Sequence, residues 1–441
     1  MSTGVVTPDL TTRRLVAVAW PLVLHGLVTI LVSANDVVLL GGAGPLVIAS
    51  ASVASAMLTV LVTGLAAFAV GAQIEGSRAR GAGDPRGATV AASATLRVVV
   101  LAGLPVVTVT ALAAPLLTRE IGGTAADADL AATYLRITLC GVPMAVLAGV
   151  LRAYATALAR TRVVLVASVA AAGTDIAVAL ALTPVLGWRG VAIGTVCGYA
   201  ASATAFLVWR ARLDRAERPT LPLRPTGVER RLVDLGWPEA LLATFSTASG
   251  VVVAFVVSGS TSAVLAGVRL VDVQITVAWV VLSGIGTALL TLLGEARGAG
   301  RDDLFRVATV RAARLLAAVA VGLFLLGAPL AQPIVRLVAG ADAGVAVGWS
   351  GVLAWTQVGW LVVCVLAVTV CRALRDTRAS LAASLVGEYA VFLPLGLLLC
   401  RVWSLDVLGV MLAHHAFWIA FLAVATARAR TAWSNSTGLT T

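Results

Sequence analysis

Apolar runs of about 20 residues recur along the chain, separated by short segments rich in arginine, glycine and proline. Runs of that length cross a hydrocarbon core of about 30 Å as helices. Their placement predicts twelve spans, near 15–40, 46–72, 89–117, 131–153, 163–184, 188–209, 232–257, 263–293, 307–338, 345–371, 379–400 and 405–427. Strands are not expected, because backbone exposed to lipid must satisfy its hydrogen bonds within its own helix. Glycine, alanine and serine are frequent inside the runs, as suits helices that pack closely in lipid.

The pattern is written twice. Trp20-Pro21-Leu22 returns as Trp237-Pro238-Glu239, and Ala79-Arg80-Gly81-Ala82-Gly83 returns letter for letter as Ala296-Arg297-Gly298-Ala299-Gly300, both offset by 217 positions. Arg160-Thr161-Arg162 is echoed by Asp376-Thr377-Arg378 at an offset of 216. The chain therefore reads as a tandem duplication: a six-helix lobe over 1–209, a cytoplasmic linker over 210–231 held extended by Pro219, Pro222 and Pro225, a second six-helix lobe over 232–427, and a polar, irregular tail over 428–441. The fold class expected is an all-α membrane protein, with twelve transmembrane helices in two pseudo-symmetric lobes around a central cleft. Many alternating-access transporters are built from such repeats.

Composition narrows the class further. The chain has 60% hydrophobic and 12% charged residues with a mean hydropathy of +1.00, against about 25% charged in a soluble domain. All 32 basic residues are arginine and the net charge is +11. Only Arg119, Arg136, Arg189, Arg336 and Arg401 fall on the far side of the predicted membrane, with Arg97 and Arg269 inside spans; the other 25 lie at the chain ends, in the even-numbered loops or at the helix ends beside those loops. The positive-inside rule then places both termini and the linker in the cytoplasm of a multi-pass cell (inner) membrane protein. No nucleic-acid partner is expected, since the arginines are scattered over short loops. The five cysteines show no CxxC spacing and read as packing residues. No metal cluster, cofactor or catalytic constellation is visible, so an enzyme is not expected. Arg13-Arg14 before an apolar run resembles a signal peptide, but the run is long and contains Asp36, so it reads as a retained first helix.

Charged groups inside spans carry the candidate chemistry, because each costs about 2.5–3.5 kcal/mol at mid-bilayer unless paired or used. Asp36 leads. His25 lies eleven positions back, within about 20° of the same helix face, with Thr29 and Ser33 near that line and Asn35 beside it. Asp175, in the outer half of the fifth span, is the second acid, with Ser168 two turns back. Adding the repeat offset carries Asp36 to Val253 and Asp175 to about Val391, so the acids belong to one copy only. Two carboxylates in one apolar pocket disfavour full ionisation by desolvation and like charge, which suits loading and release of a proton or Na+. Arg269 and Asp272 are spaced i, i+3 for a local ion pair. Gln357, Glu388 and Tyr389 are further candidates for lining a cleft, with His25, Thr29, Asn35, Arg269 and Asp272. Arg269 is the arginine set deepest in a span. Pro21 is the expected bending point.

These residues fall in a familiar order. Ala19-Trp20-Pro21-Leu22 with Asp36, Gly71-Ala72-Gln73 before Gly81-Ala82-Gly83-Asp84-Pro85, and Tyr134-Leu135-Arg136-Ile137 ahead of Gly141-Val142-Pro143 resemble the multidrug and toxic compound extrusion (MATE) family. Arg375-Asp376-Thr377-Arg378 and Leu393-Pro394-Leu395-Gly396 fit the same pattern, so the likeness covers about 13–427. The resemblance implies an exporter, without cofactor, of small cationic or amphipathic organic compounds in exchange for protons or Na+. In that family the fifth helix often carries Asn and, four residues later, Asp in a cation site. Asp175 falls at the Asn position and Ala179 at the Asp position, which leaves proton and Na+ both open. A monomer is expected. The alternative is a flippase of lipid-linked oligosaccharide or polysaccharide from the same superfamily, or, with less support, a membrane-embedded enzyme.

Overall fold

The computed structural model describes residues 11–42, 44–121, 125–257 and 260–437. Ten helices among them are long and apolar enough to cross a membrane: α1 (Thr12–Gly41), α2 (Leu46–Gly81), α3 (Arg86–Arg119), α5 (Arg162–Leu186), α6 (Trp188–Ala211), α8 (Ser262–Gly298), α9 (Asp302–Ala339), α10 (Ser350–Ala373), α11 (Arg378–Val402) and α12 (Asp406–Ser434). A further span, α4, is the bent pair Ala128–Leu139 and Val142–Ala157, turned by 47°. α7, Glu229–Val256, is the twelfth long helix. Each predicted apolar run coincides with one of them.

The duplication is visible in the backbone. Gly83 and Gly300 both have positive φ (74° and 69°), 217 positions apart, and both close the turn after an Ala-Arg-Gly-Ala-Gly copy. Ala159 (53°) and Arg375 (68°) repeat at 216, and Gly187 (59°) and Ser404 (53°) at 217. The slip from 216 back to 217 requires one extra residue in α11 compared with α5. It is taken up where α11 widens into π-helix at Val386–Phe392, ahead of a second π segment at Leu398–Val402. Pro394, which cannot donate a helical hydrogen bond, separates the two.

Contacts gather the chain into two compact units, one mainly Leu24–Thr244 with Gly294–Gly300, the other mainly Phe245–Leu293 with Arg301–Thr441. The stretch of α1 up to Val23 goes with the second unit, so α1 changes unit just after Pro21. In the first unit, the bend of α4 falls at Gly141, where a Cβ would stand 2.9 Å from the Tyr199 ring; no side chain fits there. The aromatic stack of Tyr134 on Trp188, 6.2 Å between centroids, fixes α4 against the start of α6. At the ends of α2 and α8 the two Ala-Arg-Gly-Ala-Gly copies cross closely. A Cβ on Gly81 would strike the Glu295 carbonyl, and Arg80 lies 3.3 Å from Glu295. Glu75 meets Arg231 at 3.6 Å.

The linker is extended, as its prolines predict, apart from one 3-10 turn at Arg215–Glu217. It is strapped to the first unit. Tyr154 donates its hydroxyl to the Glu217 carbonyl (2.7 Å), Thr220 N donates to Ser93 Oγ (3.0 Å), and Arg97 Nη1 donates to the carbonyls of Pro222 (3.0 Å) and Leu223 (2.6 Å). In the second unit, the tail expected to be irregular continues as helix to Thr437. Trp433 explains it: the indole packs on Phe305 (5.3 Å) and under the Arg306 guanidinium (5.4 Å).

Candidate carboxylate pocket in the first unit

A pocket of ≈ 420 Å³ opens between α1, α2, α4, α5 and α6. α1 contributes His25, Thr29, Ser33 and Asp36, the polar stripe spaced along one face. α5 adds Ser168 and Asp175, and α4 adds Arg152. Asn35 lies outside this lining. Asp175 is buried (5% exposed) and Asp36 half-buried. One carboxylate oxygen of each, Oδ1, is sealed from solvent and has no hydrogen-bond partner.

Three hydroxyls around the acids have already spent their protons. Thr29 Oγ1 donates to the His25 carbonyl (3.0 Å), Ser33 Oγ to the Thr29 carbonyl (3.2 Å), and Ser168 Oγ to the Val164 carbonyl (2.8 Å). Their oxygens therefore face the pocket as acceptors. His25 is equally committed. Arg152 Nη1 lies 2.7 Å from His25 Nε2, and a guanidinium can only donate, so Nε2 carries the lone pair. His25 Nδ1 then holds the proton and gives it to Ser168 Oγ. Arg152, His25, Ser168 and the Val164 carbonyl form one chain of donors with a single direction.

Sequence reasoning missed Arg152. It was counted with the arginines at helix ends, at the edge of the run ending near 153, yet α4 continues to Ala157. Arg160 and Arg162 already mark the membrane border, and Arg152 lies eight residues, about 12 Å of helix, inside them. That spacing was the available signal. Arg269, expected to be the deepest arginine, is instead exposed.

Asp175 is placed by the close approach of α5 and α6. Gly190, Gly194 and Gly198 recur every four residues on α6, the small-residue spacing that lets helix backbones meet. A Cβ on Gly190 would stand 2.6 Å from Thr183 N; on Gly194, 2.8 Å from Asp175 Oδ1; on Gly198, 3.0 Å from Asp175 Cβ. The backbone of α6 is thus the wall against which the Asp175 side chain rests.

In the second unit the remaining candidates are distributed differently. Glu388, on the π turn of α11, accepts a hydrogen bond from Ser249 Oγ (2.8 Å). Tyr389 meets Phe245 edge-on at 5.8 Å. Gln357 is buried and accepts from Trp418 Nε1 (3.1 Å). Among the described residues, no ion pair joins Arg269 to Asp272; the guanidinium reaches across to α7, with Nη1 3.3 Å from where a Gly250 Cβ would stand. His414 stacks on Phe392 at 4.5 Å and His415 Nε2 lies 2.7 Å from Thr356 Oγ1.

Comparison with known proteins settles the lineage. The MatE family model matches residues 21–181 and again 238–398, two stretches offset by 217. No curated protein matches the chain. Solved structures do. A MATE protein in complex with MaL6 aligns over 97% of both chains at 17% identity and a TM-score of 0.86. The eukaryotic MATE transporter AtDTX14 aligns at 15% identity and 0.83, covering 96% of this chain and 98% of that one. An outward-facing multidrug resistance MATE transporter of the MOP superfamily aligns at 17% and 0.83, covering 98% and 97%. With both copies matched and the full length superposing on these folds, the chain belongs to the MatE family of multi-pass membrane transporters.

Proposed function

We propose that this chain exports small organic compounds, cationic or amphipathic, driven by a proton or Na+ that loads at Asp36 and Asp175 and moves inward. One observation carries the reading: two buried carboxylate oxygens without partners share a pocket into which Thr29, Ser33 and Ser168 turn acceptor oxygens. Such a lining favours a cation. Arg152 is its one cationic side chain, and that guanidinium has Nη1 held by His25. An acceptor left unsatisfied in a buried site costs about 1–3 kcal/mol, and a bound proton or Na+ relieves both acids at once. One charge moving inward releases about 2.3 kcal/mol per 100 mV, enough for roughly fifty-fold concentration of substrate.

The arginine distribution supports cytoplasmic termini and insertion in the cell membrane. Pro21, where α1 passes from one contact unit to the other, is the proposed bending point of an alternating-access cycle. Arg269, Asp272, Gln357, Glu388 and Tyr389 are proposed substrate contacts, together with His25 and Thr29 on the first unit, in a protein that works as a monomer.

The test is dye efflux from proteoliposomes with pH and Na+ gradients imposed separately. Asp36→Asn should abolish gradient-driven efflux while leaving the thermal melt intact, and full export in that variant would refute the assignment. Movement of lipid-linked saccharide with no movement of any dye would select the flippase alternative.

A further inference from the structure

α3 and α6 carry matched borders. Between Arg97 and Arg119, and between Arg189 and Arg210, every residue is uncharged. Each stretch spans about 30 Å of helix, the thickness of the hydrocarbon core. Arg97, read from sequence as lying inside a span, therefore stands at its edge. It shares that border with Arg210, on the side the linker occupies. Behind Arg210 a cavity of ≈ 350 Å³ opens between α2, α3, α4, α6 and the linker. Its inner wall is hydrocarbon, with Leu96, Val99, Leu147 and Leu151 among the lining. Its rim faces outward: Leu104 is 60% exposed and Leu221, from the linker, 54%. The groove is thus open sideways to lipid.

Arg210 lines the groove, and Arg97 is tied to the linker residues that follow the lining ones; neither guanidinium is neutralised. Arg97 gives Nη1 to the carbonyls of Pro222 and Leu223, and Arg210 gives Nε to the carbonyl of Pro219 (2.6 Å). Neither has an acidic partner among the described residues. The carbonyls they hold all lie within linker residues 219–223, so both side chains are tied to one short stretch of the cap. We infer that this groove holds one acyl chain of an anionic phospholipid, with its phosphate between Arg97 and Arg210 and linker residues 219–223 as the cap. Hydrocarbon walls select the chain, and basic groups between helices at headgroup depth select the anionic headgroup. The site backs onto the carboxylate pocket through α4: Leu147 and Leu151 face the groove, Ala148 and Arg152 the pocket.

The inference is independent of what the transporter carries. The full chain, purified in detergent, is mixed with equal amounts of palmitoyl-oleoyl phosphatidylglycerol and phosphatidylcholine, and retained lipid is counted by native mass spectrometry. The wild type should keep phosphatidylglycerol in preference, with the preference falling about fivefold for Arg97→Gln and again for Arg210→Gln. Leu147→Trp, which fills the groove, should lower retention of both lipids. Arg210→Gln leaves the Arg97 strap on the linker intact and so carries the test if Arg97→Gln unfolds. Equal retention of the two lipids by the wild type would overturn the inference. So would unchanged preference in Arg210→Gln, or displacement of the lipid by glycerol phosphate without a chain.

Discussion

Gly194→Ala is the sharpest perturbation of the carboxylate pocket that leaves every charge in place. The added methyl would stand 2.8 Å from Asp175 Oδ1, 2.9 Å from the Asp175 carbonyl and 3.0 Å from Ala179 Cβ. Contact distance is nearer 3.5 Å, so α6 must withdraw, or the carboxylate must swing, by about 0.6 Å. Withdrawal is opposed along the whole seam, since Gly190 and Gly198 are seated just as closely. Overpacking of this kind costs about 1–3 kcal/mol. A misplacement near 1 Å in a working site costs up to a hundredfold in rate, so a shift of this size should slow gradient-driven efflux about tenfold. Gly173→Ala is the matched control: it is two residues from Asp175 on α5, and nothing lies within 4 Å of its Cβ position. Efflux from proteoliposomes and a thermal melt in detergent read both variants. If Gly194→Ala transports at the wild-type rate, or Gly173→Ala loses as much, the idea that the α6 backbone positions Asp175 is wrong.

Three further expectations follow from named contacts. Arg152→Gln should destabilise the protein by about 1–3 kcal/mol; in a double-mutant cycle with His25→Ala the two losses should fall well short of additive in both melt and efflux, and simple additivity would break the proposed relay. Ser404→Gly should raise the melting temperature, since a side chain at φ 53° costs about 1 kcal/mol where its repeat counterpart is Gly187; a lowered melt would show that the serine makes an offsetting bond. Pro21→Ala restores the helical donor that proline lacks and should stiffen α1 by about 1 kcal/mol or more, giving a higher melt with slower efflux; an unchanged rate would remove Pro21 as a bending point.

The spans were legible because a bilayer imposes one length and one composition on every crossing segment, and the linker because proline restricts its backbone directly. The stripe from His25 to Asp36 was legible for the same geometric reason: a helix fixes which residues share a face, and the structure puts those four along one pocket. What the sequence hid was reach between helices. Arg152 looked like a border arginine because helix ends cannot be placed to within a turn from hydropathy. Arg269 and Asp272 have the spacing of a pair, but the arginine extends to α7, a choice that i, i+3 spacing does not determine. The tail looked polar enough to be irregular, yet a single indole between Phe305 and Arg306 holds it helical. The extra residue in α11 leaves no motif beyond it to mark the return of the offset from 216 to 217. Its meaning appears when the backbone shows a π turn.

That π turn sharpens the comparison between the two copies. Depending on which side of the extra residue the alignment is drawn, Asp175 corresponds to Val391 or to Phe392, and Asp36 to Val253; all three are apolar, and Phe392 and Val253 lie in the core of the second unit. The shared scaffold therefore tolerates hydrocarbon at both positions. The acid in the second copy's counterpart of α5, Glu388, sits about one turn earlier, within the π segment, and accepts from Ser249. In the first copy the acids keep an acceptor unsatisfied, at a combined cost of about 2–6 kcal/mol that a valine would avoid. A cost that the duplicate fold escapes, held on one side only, is difficult to ascribe to packing. It is what a pocket carries when its low-energy state includes a cation that arrives and leaves during the cycle, and this asymmetry argues for the ion site more strongly than either aspartate does alone.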